Sequence, residues 1–423
     1  MKQTPTHDNS EHSAATKAPD DSGMLRNPRF LYLLVSGSLT VMTGGVLAPI
    51  LPAMITQLPL DEAWAGILVS THYLMLALFS PLLGLLADRF GKLRLLSLSL
   101  FIYSFLGMAG ALLTDFGWLL LDRALLGIAT SGIAAGSLGL LTSMYRGGDR
   151  TQAIAYVSVT LTLANIFYPL LAGGLGAIHW QLAFTLYGVG IPLAALAWVI
   201  YRPKHQSRPQ VEKNEPDTAG NGDDMGKPMN LKVIFSEPAI LTLLFSLIMV
   251  SAIVFGMVVY LPIFLQSRLG TDVGVNGIVL ACMAIGSALS AVLALKRLTQ
   301  RLGVFRVIPL GLGLMALILV IMPTLSQLSA IIVAATLFGI GFGVVTPSLY
   351  NGLANLTPNE LQSSILATGI GAGFLGQFIS PLFFGQILGL SSIVGVFYAA
   401  AIVSLGTGLL LAFQSSGHRP QTD

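Results

Sequence analysis

Asp122 and Arg123 are adjacent within residues 117–144, a stretch that is otherwise almost wholly apolar. An arginine at the centre of a membrane-spanning helix costs about 2.5–3.5 kcal/mol on insertion scales, so an ionisable residue there marks function by default. Arg123 lies nearer one end of the stretch than its centre, which lowers that cost. At helical spacing Arg123, Gly127, Thr130, Ala134 and Ser137 share one face, and this small, polar stripe suits the wall of a cavity. Neighbours at i and i+1 diverge on a helix, so the spacing predicts no direct Asp122–Arg123 pair. Asp122 is expected to reach another helix or water. As the one acid inside such a stretch and its neighbour, Asp122 and Arg123 are the candidate proton-coupling residues.

His72 is the one histidine deep in an apolar stretch, 64–86, and is expected to be held there by a hydrogen bond. Thr130, Asn165, Tyr168, Tyr260, Tyr350, Asn351 and Gln377 are further polar groups in apolar surroundings and candidate substrate-cavity residues. Met42, Met257, Phe264, Met283 and Phe374 suit either an adaptable apolar pocket or plain packing. Hydrolytic chemistry has little to work with. The phosphate loop G-x-x-x-x-G-K-[ST], H-E-x-x-H and G-x-S-x-G are all missing, and one acid and one central histidine make no catalytic cluster. A single cysteine excludes a disulfide framework and a multi-cysteine metal site. The chain is therefore expected to be no enzyme, with no cofactor and no metal, and a net charge of +3 gives no start to a nucleic-acid reading.

The elements that position these residues belong in lipid. Of 423 residues 54% are hydrophobic and 10% charged, with mean hydropathy +0.78, against about 25% charged in a soluble domain. Twelve stretches reach the roughly 20 apolar residues that a spanning helix needs. They lie near 30–55, 64–86, 93–113, 117–144, 152–177, 180–201, 238–266, 274–295, 304–323, 327–355, 361–388 and 392–413. The alternating ten-residue segments of an outer-membrane barrel are missing, which predicts an all-α membrane protein. With the N-terminus inside, every Lys and Arg except Arg123 and Arg268 falls on the cytoplasmic side. The first 25 or so residues carry no secretory signal pattern, so the first span is expected to direct insertion, leaving both termini cytoplasmic. The predicted organisation is an N-tail (1–29), a six-helix bundle (30–201), a hydrophilic linker (202–237), a second bundle (238–413) and a C-tail (414–423).

The two bundles read as a duplication. Pro28 and Pro52 match Pro238 and Pro262, and Gly66 matches Gly277. Arg89 and Gly91 match Arg301 and Gly303, Gly127 matches Gly339, Pro169 matches Pro381, and Gly173 matches Gly385. Six helices return the chain to its starting side, so the halves insert in the same orientation. That is the parallel repeat of two-lobed secondary transporters, with substrate bound between the lobes.

The loop after the second helix reads GLLADRFGKLRLL, Gly84 to Leu96. It resembles the signature G-x-L-x-D-R-x-G-R/K-K/R of the major facilitator superfamily, in register with the span count and the repeat. The resemblance implies that fold, with two pseudo-symmetric six-helix bundles, and a gating latch built from Gly84, Asp88, Arg89, Gly91, Lys92 and Arg94. Gly84 is expected to allow close helix approach, Gly91 to make the tight turn, and Asp88, just past the helix end, to meet a helix N-terminus or a basic side chain. The second-half counterpart keeps Arg301 and Gly303 but has Gln300 in place of the carboxylate, which predicts an asymmetric latch. Arg123-x-x-x-Gly127 is similar to the family's fourth-helix arginine motif, implicated in proton coupling. Ala164, Pro169, Ala172 and Gly173, with Pro381 and Gly385 in the repeat, resemble a degraded antiporter motif that also serves helix packing. The resemblance thus implies a monomeric inner- or plasma-membrane protein exporting a small organic molecule, drug or metabolite, in exchange for protons. An importer or uniporter on the same fold, and a ligand sensor without transport, are the alternatives.

Overall fold

Proline and aspartate set the helix starts. The Asn27 side chain accepts a hydrogen bond from the Arg29 amide at 3.0 Å, and Pro28 takes the first helical position of α1 (Pro28–Gln57). Asp61, Asp115 and Asp272 cap α2 (Glu62–Phe90), α4 (Phe116–Met144) and α8 (Val273–Leu293), each accepting from a first-turn amide at 2.8–3.1 Å. Pro238 opens α7 (Pro238–Leu269), and Gly270 ends it in the left-handed region at φ 62°. The others are α3 (Lys92–Ala109), α5 (Gly147–Ile178), α6 (Trp180–Ile200), α9 (Val304–Ile321), α10 (Leu328–Asn355), α11 (Gln362–Leu390) and α12 (Ile393–Gly417).

The computed structural model describes residues 24–58, 60–145, 147–201, 237–358 and 361–417. Among them are twelve helices long and apolar enough to cross a membrane, each overlapping a predicted stretch. Apart from Glu237, the predicted linker lies outside the described residues, as do 1–23 and 418–423 of the predicted tails. Pro49, Pro52, Pro169, Pro262, Pro347 and Pro381 all sit inside helices, where neighbouring helices supply what the missing amide cannot.

In the first half α2 and α3 pack on α4, and α1 packs on α5; in the second, α8 and α9 pack on α10, and α7 packs on α11. The same pairs recur because the same residues recur. Gly127 lets α4 close onto α2, where an added Cβ would stand 2.6 Å from the His72 carbonyl oxygen, and Gly339 lets α10 close onto α8 at the Met283 carbonyl. Between the halves, α5 meets α8 and α2 meets α11. Both seams lie toward the end away from the basic loops. At one, a Cβ on Gly173 would come within 3.0 Å of Gly277 Cα, and one on Gly277 would strike the Pro169 carbonyl. At the other, a Cβ on Gly66 would stand 2.9 Å from Pro381 Cβ, and one on Gly385 would strike the Ala63 carbonyl. Of the duplicated residues, Pro169, Gly173 and Gly277 at one seam and Gly66, Pro381 and Gly385 at the other therefore lie where the halves touch. Asn276 adds a hydrogen bond across the seam, from Nδ2 to the Pro49 carbonyl at 3.2 Å.

The halves differ at their basic loops. α2 runs unbroken to Phe90 and turns at Gly91, φ 96°. Its counterpart α8 stops at Leu293, and a separate short helix, Leu295–Leu302, precedes the turn at Gly303, φ 78°.

Candidate functional site

Arg123 and Asp122 do form a direct pair. Arg123 Nε donates to Asp122 Oδ2 at 3.0 Å, and Nη2 donates to the same oxygen. The expectation of divergent neighbours fails because it concerns Cα–Cβ directions, whereas three methylenes let the guanidinium fold back along the helix. Arg123 is 1% exposed and Asp122 5%. Without water, an unpaired charge costs more than a bent side chain.

Four helices build the chamber around the pair. From α6, Phe184 and Tyr187 place their rings 5.3 and 5.6 Å from the guanidinium carbon. Arg123 Nη1 lies 3.5 Å from the Tyr187 hydroxyl, which donates to the Thr43 carbonyl of α1 at 3.3 Å. From α3, Tyr103 packs edge-on to Tyr187 at 5.4 Å and donates to the Leu39 carbonyl at 3.0 Å. Gly110 leaves room for Nη2, which a Cβ there would strike. The stripe that begins at Arg123 therefore faces the interior of the first bundle rather than a cavity between the halves. Thr130, fully buried, donates to its own helix at the Leu126 carbonyl, 2.8 Å away. The polar core thus includes Tyr103, Phe184 and Tyr187, which sequence reasoning did not select. The available signal was that a buried tyrosine in an apolar helix needs a partner for its hydroxyl.

His72 also departs from expectation. It is fully buried, and neither ring nitrogen has a hydrogen-bond partner. Its ring lies 3.8 Å from that of Tyr73. Tyr73 in turn reaches across the halves, edge-on to Phe255 of α7 at 5.1 Å and stacked on Phe374 of α11 at 6.0 Å. Met42, Met257, Phe264 and Met283 are core residues, while Phe374 is half-buried at this junction.

The other candidate cavity residues are spread over α5, α7, α10 and α11. The Tyr168 hydroxyl meets Ser38 Oγ at 2.7 Å, tying α5 to α1. Tyr260 is buried in the α2–α11 seam, its hydroxyl 3.4 Å from the Pro381 carbonyl. Asn165 Nδ2 donates to the Leu161 carbonyl at 2.9 Å. Tyr350 and Gln377 are half-buried and Asn351 is exposed. Ala164, Pro169, Ala172 and Gly173 are all buried, with Pro169 and Gly173 in the α5–α8 seam. Among the described residues no three His, Cys, Asp or Glu side chains converge as a metal site would require.

At the basic end, Asp88 lies within the last turn of α2 rather than past it, because the helix continues to Phe90. Asp88 is 68% exposed, with Lys92 Nζ 3.6 Å from its Oδ1, so its partner is on its own half. Gly91 makes the predicted tight turn. Gly84 has nothing within 4 Å of an added Cβ, so the expected close approach is not made in this arrangement. Behind the loop is a cavity of about 730 Å³ bordered by Asp88, Lys92, Arg94, Leu140, Trp198 and Tyr201. Tyr201 lies under the Arg29 guanidinium at 5.3 Å, yet burial pushes its hydroxyl up to about 12. Gln300 and Arg301 are exposed on the short helix, which carries no carboxylate.

The sequence model described as Major Facilitator Superfamily matches residues 33–294 and 264–423. Among curated proteins, the chain is 21% identical over 398 residues to "Multidrug resistance protein 1" of Bacillus subtilis (strain 168), covering 93% of this chain and 98% of that protein. It is 24% identical over 403 residues to "Quinolone resistance protein NorA" of Staphylococcus aureus (strain MRSA252), covering 92% and 97%. Among solved structures, a bacterial homolog to the human lysosomal transporter Spinster, inward-facing and unoccupied, superposes with a TM-score of 0.70 at 17% identity, covering 92% of this chain and 95% of that one. The nucleoside transporter NupG gives a TM-score of 0.69 at 14% identity, covering 92% and 98%.

Proposed function

The chain belongs to the Major Facilitator Superfamily, a family of membrane transporters, and from that premise we propose that it exports a small organic molecule in exchange for protons. Its two halves rock about a central space, exposing it alternately to either side. The names of the drug-resistance relatives support export and an organic substrate. The basic loops support an orientation with both termini cytoplasmic in a bacterial inner or plasma membrane. In that orientation the glycine seams close the outer end, and the central space faces the cytoplasm. Substrate lies between the halves, against Tyr73, Phe255 and Phe374, with Asn165, Tyr168, Tyr350, Asn351 and Gln377 as the polar groups within reach. The Asp88–Lys92 loop works as the latch that engages when the cytoplasmic side closes.

The observation that carries the coupling is the buried Asp122–Arg123 pair, enclosed by four helices of one bundle. A proton drives transport only if it changes the relative stability of the two arrangements. Protonating Asp122 cancels the charge that holds the guanidinium and leaves Arg123 to its aromatic neighbours and Tyr187, which changes how α4 packs on α3 and α6. The test is ethidium efflux from proteoliposomes under an imposed pH gradient. Arg123→Ala and Asp122→Asn are expected to lose gradient-driven flux. Flux at the normal rate in both variants overturns the assignment.

A further inference from the structure

The coupling mechanism above gives His72 no task, although among the described residues it is the one fully buried histidine and neither ring nitrogen meets a hydrogen-bond partner. A buried polar group in that state calls for a reason. The Val69 carbonyl, one turn back on the same helix, lies beside the ring. The surroundings define what a proton on this ring would meet. α4 brings Arg123, whose charge acts on the ring, together with the paired Asp122. α3 and α6 bring Tyr103 and Tyr187 to the same chamber, and α1 brings the Thr43 carbonyl. α11 carries no titratable side chain among its described residues, and α7 has Tyr260, at the level of Gly66, and Arg268 in its last turn. On α2 itself the neighbour is Tyr73.

We infer that His72 is a proton-carrying residue of the transport cycle, taking up a proton on a ring nitrogen in one arrangement of the halves and releasing it in the other. The inference rests on the proton-coupled reading and extends it to a second residue. With the ring neutral, Arg123 is matched by Asp122 alone. A bound proton sets two cations against one carboxylate, and that repulsion is relieved only when the ring and the guanidinium move apart. The ring cannot shift without disturbing Tyr73, 3.8 Å away, and Tyr73 is the side chain that holds Phe255 and Phe374 of the opposite half. A proton inside one bundle is thereby felt at the contact between both.

The test needs no known substrate. With Cys282→Ser as background, spin labels on Ser143→Cys and Asn355→Cys, exposed positions near the basic ends of opposite halves, report the separation of the bundles by electron–electron double resonance across pH. The parent is expected to shift between two distances with a defined midpoint. His72→Gln and His72→Phe are expected to move that midpoint by at least one pH unit or abolish the shift. Tyr73→Leu is expected to shrink the distance change while the midpoint stays. Unchanged midpoint and amplitude in both His72 variants overturn the inference, and if Asp122→Asn alone abolishes the shift, the proton-coupled reading stands without His72. A parent whose distances ignore pH sinks that reading first.

Discussion

An arginine turned back onto the residue before it in sequence is stable only where nothing else can solvate it, and the Arg123 chamber is such a place. Removing one partner leaves the other buried and unmatched, so Arg123→Ala should lower stability by about 3–5 kcal/mol. Replacing both, as Asp122→Leu with Arg123→Met, should restore most of the lost stability while leaving gradient-driven flux absent. Thermal unfolding in detergent separates the two effects, and a double variant as unstable as the single one would show that the pair does more for folding than for coupling. The sequence singles out both residues, because charge in an apolar stretch is conspicuous. It does not reveal their pairing, which depends on side-chain torsions and on Tyr187 and Phe184 arriving from a helix more than fifty residues away. His72 was visible for the same reason as Arg123, yet its missing partners are a property of the packed bundle and leave no trace in the chain.

Helices of this kind announce themselves, since about twenty apolar residues have few other uses, and the twelve predicted stretches fall on the twelve long apolar helices among the described residues. What the stretches conceal is where regularity fails. α6 begins as ten residues of 3-10 helix, and the α8 side breaks at Ala294, where no proline or glycine warns of it. The glycines, by contrast, carry legible meaning once the repeat is recognised. Gly91 holds φ 96°, so Gly91→Ala should cost about 1–3 kcal/mol, measurable as a lowered melting temperature. Gly173 and Gly174 make a sharper comparison. The first lies against Gly277 and the second has nothing within 4 Å. Gly173→Val should hold the seam apart and lower flux by about tenfold or more, whereas Gly174→Ala should leave it within about twofold. Equal losses in both would mean that the seam does not close during transport.

Across the whole molecule, the pseudo-symmetry holds at the seams where the halves touch and loosens in the helices that lead into the basic loops. Pro169, Gly173 and Gly277 at one seam have their equivalents in Pro381, Gly385 and Gly66 at the other. The basic loops, free of that constraint, have diverged: Asp88 sits on a continuous helix, while Gln300 sits on a detached one. If the first loop alone carries the working latch, Asp88→Asn should slow flux by about tenfold and Gln300→Ala by less than about twofold. Comparable effects from the two would restore a symmetric latch. The relaxed symmetry was predictable from one lost carboxylate, but the broken helix behind it was not. At Gly173, Gly277 and Gly385 the seams close on main chain and at Gly66 on a proline ring, contacts that ask little of side-chain identity beyond smallness. If the halves rock on these seams as proposed, the walls of the space between them can be redrawn while the seams keep their tolerances. Relatives sharing about a fifth of their residues with this chain can therefore keep one machine and differ in what it carries.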